Sequence, residues 1–189
     1  MYLFFDTETT GLPKNYKAPA SDIDNWPRMI QIGWILSNDK GERIDSAEFI
    51  IKPDGFSIPS SASNIHGITT QRAVKEGVPL DDVLNKFNEI VDDASVIIAH
   101  NISFDEKIIG AEFIRRNIAS SFDAKPKYCT MLNSTDFCKI PGYYGFKWPK
   151  LSELHIKLFG EDFEGAHNAF ADIEATERCY FEMKKRGII

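Results

Sequence analysis

Cysteine is scarce in this sequence, and the few cysteines present show no pairing pattern. There are three, Cys129, Cys138 and Cys179, which is an odd number, and their spacing is not that of paired zinc ligands. The sequence therefore excludes a disulfide-rich secreted domain and a structural zinc module. We expect reduced thiols in a reducing compartment.

Long hydrophobic runs are also missing. No apolar stretch approaches the roughly 20 residues that cross a bilayer, and no basic segment precedes the hydrophobic N-terminus. We therefore expect a cytoplasmic protein with no membrane partner. Repeats, low-complexity blocks and shifts in composition are absent, and the chain ends soon after its last predicted helix. With 189 residues and 43% hydrophobic content, we expect one domain over residues 1–189.

Positive charge is in short supply, with 22 Lys and Arg against 28 Asp and Glu. Nucleic-acid-binding domains usually have a basic footprint, so a net charge of −6 argues against such a partner. The objection weakens if acids bind cations, because divalent ions turn a carboxylate cluster into a site that attracts phosphate. Candidate basic residues around such a site, each more simply a solvated surface charge, are Lys14, Lys17, Arg28, Lys147 and Lys150.

The most informative feature that is present is a pair of acids at the end of a hydrophobic strand. Residues 1–5 are apolar apart from one tyrosine hydroxyl, and Asp6 and Glu8 follow. Side chains alternate along a strand, so both acids point to one face while Thr7 points to the other. Buried neighbouring carboxylates repel each other and lose hydration, which a divalent metal would offset. A polar strand end that turns into solvent explains the pair equally well.

A second acid follows another short apolar strand, predicted at residues 95–99. The helix after it begins near Ser103, which with Glu106 has the spacing of a capping box. Asp105 then lies in the first helical turn. A negative charge there also complements the helix dipole, so Asp105 alone does not indicate a site.

A third group of polar residues opens the C-terminal helix. Asn168 is the predicted N-cap, His167 precedes it and Asp172 lies in the first turns. Glu174 with Arg178, and Glu182 with Arg186, have the spacing of i,i+4 ion pairs. Taken singly, a histidine at a loop-to-helix junction and an acid one turn later are ordinary.

The coarse order of elements predicts an α/β fold. Strands at 29–36 and 44–52, joined by a turn at 38–41, form an antiparallel meander with the first strand. Helices and strands then alternate along the chain. These later elements are predicted as a helix at 80–91, the strand at 95–99, a helix from 103, a strand near 126–131 and two final helices. Three prolines make the segment 12–27 an irregular loop.

Together, the three acidic motifs resemble those of the DEDDh exonucleases. Their sequences here are FDTETTGL at 5–12, AHNISFD at 99–105 and HNAFAD at 167–172. The stretches IHGIT at 65–69 and PKLSEL at 149–154 add to the resemblance, which spans nearly the whole chain. The family is the DnaQ-like 3′–5′ exonucleases, which include proofreading subunits, oligoribonuclease and related RNA-trimming enzymes.

The resemblance implies a fold, an activity and a metal centre. It implies a ribonuclease-H-like mixed five-stranded sheet, with an antiparallel meander plus parallel strands, flanked by helices. It implies hydrolysis of phosphodiester bonds from a nucleic-acid 3′ end with two Mg²⁺ or Mn²⁺ ions, ions that oxygen ligands suit. Asp6 would bridge both ions, Glu8 and Asp172 would bind one, and Asp105 the other. His167 would be the general base rather than a ligand.

The resemblance also implies where the terminal nucleotide would lie. Thr9, Gly11 and Leu12 match positions that approach it, and a glycine suits a close approach. His66 and Phe104 are candidates for contacting or stacking bases, although core packing explains Phe104 better. No base-binding role is expected for Trp26, Trp34 or Trp148.

Three functions remain open from the sequence. The first is a 3′–5′ exonuclease releasing nucleoside 5′-monophosphates from single-stranded DNA, with a DNA polymerase subunit as an optional partner. The second is an exonuclease for RNA or short oligonucleotides. The third is a catalytically silent nucleic-acid-binding module, which would have no need to keep the acidic cluster.

Overall fold

The computed structural model describes residues 1–165 and 168–189, and its central feature is a five-stranded sheet. Its strands run in the order β3-β2-β1-β4-β5, with β1 in the middle. β2 pairs antiparallel with both β1 and β3, whereas β4 pairs parallel with both β1 and β5. The strands are β1 (Tyr2–Thr9), β2 (Met29–Ser37), β3 (Arg43–Ile50), β4 (Val96–Ala99) and β5 (Lys127–Cys129). The predicted mixed five-stranded sheet is confirmed.

Eight helices of the described chain surround the sheet. Four of them were predicted, namely the helices at 80–93 and 102–116 and the two final ones. Wherever the sequence predicted the end of a helix, the observed end lies within two residues of it. The helices are α1 (Ser60–His66), α2 (Thr70–Glu76), α3 (Leu80–Asp93), α4 (Ile102–Arg116), α5 (Thr130–Asn133), α6 (Thr135–Cys138), α7 (Leu151–Phe159) and α8 (Ala169–Lys185). The sequence prediction missed four short helices, α1, α2, α5 and α6, because runs of four to seven residues carry little periodicity.

A small hairpin was also missed. Strands β6 (Pro141–Gly142) and β7 (Gly145–Phe146) pair antiparallel and form a separate two-stranded sheet. Each strand is only two residues long, so no alternation of polar and apolar residues could mark it.

The two faces of the central sheet bury different clusters. Leu3 and Phe5 of β1 pack in the larger cluster, which includes Phe87 of α3 and Ile108 of α4. Phe4 packs on the opposite face in a cluster with Ile173 and Tyr180 of α8, and this alternation follows from the strand geometry. Both faces of β1 are therefore covered, which explains why residues 1–5 read as a hydrophobic run.

The two predicted helix caps have different outcomes. Asn168 caps α8 as expected, because its side chain accepts hydrogen bonds of 3.1 Å from the backbone N–H groups of Phe170 and Ala171. The capping box of Ser103 and Glu106 was wrong. α4 begins at Ile102 after Asn101, whose backbone is left-handed (φ 69°) and whose side chain accepts from Ser103 Oγ instead.

Of the two ion pairs predicted on α8, one forms and the other does not. Glu182 and Arg186 pair at 2.7 Å, as expected. Glu174 does not pair with Arg178 but with Arg43 of β3, at 2.7 Å, because β3 lies within reach of this face of the helix. Arg178 lies instead over the ring of Phe159, 4.5 Å from its centroid.

The structure also shows the state of the cysteines and the lengths of the helices. Cys129, Cys138 and Cys179 are free and buried. Within residues 1–165 and 168–189, no helix is both long and apolar enough to cross a membrane.

Gly33 of β2 sets how closely α8 approaches the sheet. It is the register partner of Asp6 on β1. A Cβ atom at this position would lie 2.6 Å from Cδ1 of Ile173, the residue that follows Asp172. Since real Cβ atoms do not tolerate that separation, any larger residue would displace the Ile173 side chain and disturb the packing of α8 beside the acids of β1.

We therefore expect Gly33→Ala to destabilise the fold by about 1–3 kcal/mol through overpacking. Ile173→Val removes the clashing Cδ1 and costs about 0.5–1.5 kcal/mol on its own. The double variant should be more stable than the sum of the two single effects predicts, as measured by urea denaturation. Strict additivity would show that Gly33 does not control the contact with Ile173.

Candidate active site

The carboxyl end of β1 brings together three acids from two elements. Asp6 and Glu8 point to the face of β1 that α8 covers, and Asp172 extends from the first turn of α8. One carboxylate oxygen from each of the three lies within 4.8 Å of the other two. All three side chains are half-buried, so the cluster is open to a small ligand while it is partly removed from water.

Asp105 joins the cluster from the other side of the sheet. Its carboxylate is 3% exposed and accepts two hydrogen bonds from Thr7, one from the backbone N–H at 3.1 Å and one from Oγ1 at 2.7 Å. Thr7 points to the opposite face of β1 from Asp6 and Glu8. This is the face that α4 covers, so Thr7 reaches Asp105. The four predicted acids therefore converge at one strand end from both faces of the sheet.

Burial, and after it the crowding of the acids, raises the pKa values of Glu8, Asp105 and Asp6. Burial, followed by the charges of Asp172 and Asp105, raises the pKa of Glu8 to about 8. Burial likewise raises the pKa of Asp105 to about 7, against the opposing effect of the Thr7 hydrogen bonds. The pKa of Asp6 is raised well above its ordinary value by burial and then by the charge of Asp105. Without a cation, the cluster holds protons at neutral pH.

The three residues predicted to approach a terminal nucleotide lie directly after the acids. Thr9 is buried, and its Oγ1 donates to the carbonyl of Gly11 at 2.6 Å. Gly11 has φ 153°, and no atom lies within 4 Å of the place where a Cβ would be. Leu12 is 74% exposed. The turn thus presents an open backbone and one unsupported apolar side chain beside the acids.

The irregular loop after this turn is tied to α4. Arg28 and Arg115 both lie 3.0 Å from Oε1 of the fully buried Glu112, which also accepts from the backbone N–H of Met29. Arg115 further donates to the carbonyls of Ile23 and Trp26. These contacts hold the loop at the rim of the site.

The remaining predicted site residues have mixed placements. His66 ends α1; its Nδ1 accepts from the backbone N–H of Ile68 at 3.1 Å, and its Nε2 has no partner among the described residues. Burial lowers its pKa. Phe104 packs against the core, 6.5 Å from Trp26 between ring centroids, so core packing accounts for it. His167 lies outside the described residues.

Two residues near the acids were not singled out in the sequence. Thr7 holds Asp105, as described above. His100 follows β4 and is held at both nitrogens: Nε2 donates to the carbonyl of Pro149, and Nδ1 contacts Thr130 Oγ1, both at 3.0 Å. Burial lowers the pKa of His100 to about 4, so it is neutral at physiological pH. Thr7 and His100 each lie inside one of the acidic motifs, and that position is the feature of the sequence that could have identified them.

The fold and the acid cluster agree with a comparison of the whole sequence. A family model described as RNase_T, exonuclease, matches residues 3–180. The chain belongs to this exonuclease family. The predicted family and enzyme class are thereby confirmed.

Individual relatives of this chain are much longer proteins. It is 29% identical over 184 residues to the DNA polymerase III PolC-type of Pediococcus pentosaceus, covering 97% of this chain and 11% of the relative. It also resembles E. coli Exonuclease I bound to a dT13 oligonucleotide, with TM-score 0.76 and 22% identity, covering 98% of this chain and 41% of the other. The chain thus spans only a minor part of these relatives.

Another solved structure shares the fold. The zinc-bound form of E. coli Exonuclease I with single-stranded DNA has TM-score 0.71 and 24% identity to this exonuclease chain, covering 98% of it and 40% of the other. The family uses divalent metal ions. The donors here are all carboxylate oxygens, which suit a hard divalent cation, and the raised pKa values mark a cluster that lacks compensating positive charge.

These pKa values predict how pH affects the stability of the metal-free exonuclease. The folded protein keeps Glu8 protonated up to about pH 8, whereas the unfolded chain loses that proton near pH 4.5. Between these values the folded state binds more protons, so stability falls as pH rises. At pH 5 Glu8→Gln should have nearly the wild-type melting temperature, and at pH 8.5 it should melt higher. Thermal denaturation in EDTA measures the difference.

The exposed Glu89→Gln on α3 is the matched control, because it makes the same charge change far from the cluster. The difference in melting temperature between this control variant and the wild type should be the same at pH 5 and pH 8.5. Adding Mg²⁺ at pH 8.5 should reverse the order, since the wild type then gains a bound cation that the variant binds less well. A Glu8→Gln offset that is the same at pH 5 and pH 8.5 would contradict the shared acidic site.

Proposed function

We propose that this chain is a metal-dependent 3′–5′ exonuclease that acts on single-stranded DNA and releases nucleoside 5′-monophosphates. The observation that carries the proposal is the convergence of Asp6, Glu8, Asp105 and Asp172 at the end of β1 in a chain of the exonuclease family. The raised pKa of Glu8 and Asp105 supports a cluster that awaits cations. We also propose that residues 1–189 form one domain.

The metals in this proposal are two Mg²⁺ or Mn²⁺ ions. Asp6, Glu8 and Asp172 have the proximity to hold one, and Asp6 with Asp105 would hold the other. When bound, such a pair stabilises the charge that develops on the attacking and leaving oxygens of a phosphodiester. Thr7 orients Asp105 through its two hydrogen bonds.

Proton transfer is proposed for His167. The unperturbed histidine side chain has a pKa near 6.5, so a neutral imidazole is available at physiological pH to accept a proton from the attacking water. In sequence, His167 immediately precedes Asn168, which caps the helix that carries Asp172. Thr9, Gly11 and Leu12 are proposed to receive the terminal nucleotide, with the open turn at Gly11 admitting its sugar. His66 is a further candidate for contacting a base, and Phe104 a weaker one.

The DNA substrate is favoured over RNA by the named relatives. E. coli Exonuclease I is seen with a dT13 oligonucleotide, and the PolC-type relatives are DNA polymerases. We accordingly propose a DNA 3′ end as the partner, presented either free or by a DNA polymerase, and a cytoplasmic location where such DNA is met.

The test is cleavage of 5′-labelled single-stranded DNA, with RNA of matched sequence in parallel, in the presence of Mg²⁺, Mn²⁺ or EDTA. We expect a ladder that shortens from the 3′ end, needs metal and forms faster on DNA. Asp6→Asn should reduce cleavage to background with the fold intact by circular dichroism, because the variant removes the shared carboxylate. Asp93→Asn, at the exposed end of α3, is the control and should cleave normally.

The same assay separates the alternatives. Faster cleavage of RNA, or of very short strands only, would replace the proposed substrate. Binding of DNA without any cleavage would indicate a silent binding module. His167→Ala should slow cleavage by on the order of 10²- to 10⁴-fold if it is the general base, and an unchanged rate and pH profile would remove that role.

A further inference from the structure

The aromatic residues that the core does not use are concentrated in one short segment. Among the described residues, five aromatic side chains are strongly exposed, and four of them are Tyr143, Tyr144, Phe146 and Trp148. Tyr143 and Tyr144 are 91% and 96% exposed. We call residues 139–148, which contain β6 and β7, the aromatic hairpin. A cluster of large apolar rings held in solvent is typical of a binding surface.

The aromatic hairpin is an ordered element with defined backbone contacts. Its strands pair Pro141 with Phe146 and Gly142 with Gly145, and the backbone N–H of Lys147 donates to the carbonyl of Ile140 at 2.9 Å. The two tyrosines form the tip between the paired glycines, with ring centroids 4.6 Å apart. The tip therefore presents two rings on a defined backbone rather than on a free tail.

The end of the hairpin is fastened next to the acidic cluster. The carbonyl of Pro149, just after Trp148, accepts a hydrogen bond of 3.0 Å from Nε2 of His100. His100 follows β4, whose Ile98 pairs with Phe4 of β1. Asp6 and His100 each lie two residues after this pair, so both reach the same end of the sheet. The hairpin thus projects from the edge of the candidate active site.

The charge of the surrounding segment is opposite to that of the whole chain. Residues 139–152 contain three lysines, Lys139, Lys147 and Lys150, and no acid, in a chain of net charge −6. All three lysines are exposed, and Lys147 also contacts Glu153 at 2.5 Å. Exposed rings interleaved with lysines suit a strand that offers bases to stack and phosphates to pair.

We propose that the aromatic hairpin binds the single-stranded nucleic acid several nucleotides from its 3′ end, with bases stacking on Tyr143 and Tyr144. This inference rests on the proposed exonuclease function and adds an extended binding surface to it. In this proposal the hairpin favours longer strands, because only nucleotides beyond those held at the acids stack on its tip. Stacking tolerates any base, so the surface confers affinity without sequence preference.

The experiment compares steady-state cleavage of a DNA dinucleotide and a single-stranded DNA dodecamer. In the wild type, the dodecamer should have the lower KM. In the Tyr143→Ala/Tyr144→Ala variant, the ratio of dodecamer KM to dinucleotide KM should rise by about 25-fold or more, since each of the two lost stacks weakens binding by about 5-fold or more. The Tyr143→Phe/Tyr144→Phe variant should keep the wild-type ratio, because its rings can still stack.

Two controls make the result specific. Ile44→Ala removes an exposed apolar side chain at the opposite end of the sheet, where β3 begins, and should keep the wild-type ratio. Abasic positions within the dodecamer should raise KM for the wild type but not for the alanine variant. Circular dichroism shows whether the alanine variant remains folded.

The outcomes separate this proposal from the one on which it rests. If the wild type cleaves neither substrate, the exonuclease proposal fails. If the wild type cleaves both and the alanine variant keeps the full length preference, the aromatic hairpin does not bind the strand, and a protein partner becomes its better occupant. If the phenylalanine variant loses the length preference to the same extent, the tyrosine hydroxyls bind the strand through hydrogen bonds and stacking is not the interaction.

Discussion

The structure depends on one unfavourable interaction, the crowding of like-charged carboxylates at the end of β1. Asp6 and Glu8 share a face with Asp172, and Asp105 approaches from the other side. Burial costs each carboxylate part of its hydration, and each charge raises the free energy of the next. In the metal-free protein the cost is limited by protonation, which is why the pKa of Glu8 rises to about 8. Divalent cations remove the same cost while leaving the carboxylates ionised, so metal binding and the local electrostatics are linked.

The rest of the fold serves to hold this arrangement. β1 lies at the centre of the sheet and is packed on both faces, so its end is a rigid position. The absence of a side chain at Gly33 leaves room for Ile173, which follows Asp172 on α8, and Thr7 hydrogen-bonds Asp105 on the other face. His100 then links β4 to the segment that carries the aromatic hairpin. The site is thus built from rigid elements, while its rim is made of turns and a hairpin with exposed apolar side chains.

Much of this could be predicted from the sequence, for identifiable reasons. The central strands and α3, α4, α7 and α8 have clear apolar patterns, and Asn168 is a cap that local chemistry specifies. The capping box at Ser103 failed because Asn101 adopts a left-handed backbone that starts the helix earlier. Glu174 pairs with Arg43 and not with Arg178, because β3 packs against α8, and this packing cannot be predicted from the local sequence. The short helices and the hairpin are below the length at which a periodic pattern can appear.

The most direct test of the central claim is the number of protons released when Mg²⁺ binds. Titration calorimetry at pH 7, repeated in buffers of different ionisation enthalpy, gives that number. Because the metal-free cluster holds protons with pKa values of about 8 for Glu8 and about 7 for Asp105, and the pKa of Asp6 is raised as well, binding should release more than one proton per chain. Release should fall as the pH rises past 8, because Glu8 and Asp105 are then increasingly ionised before the metal binds. A binding enthalpy that does not depend on the buffer at pH 7 would contradict the account, because it would mean that the carboxylates are not crowded enough to hold protons without the metal.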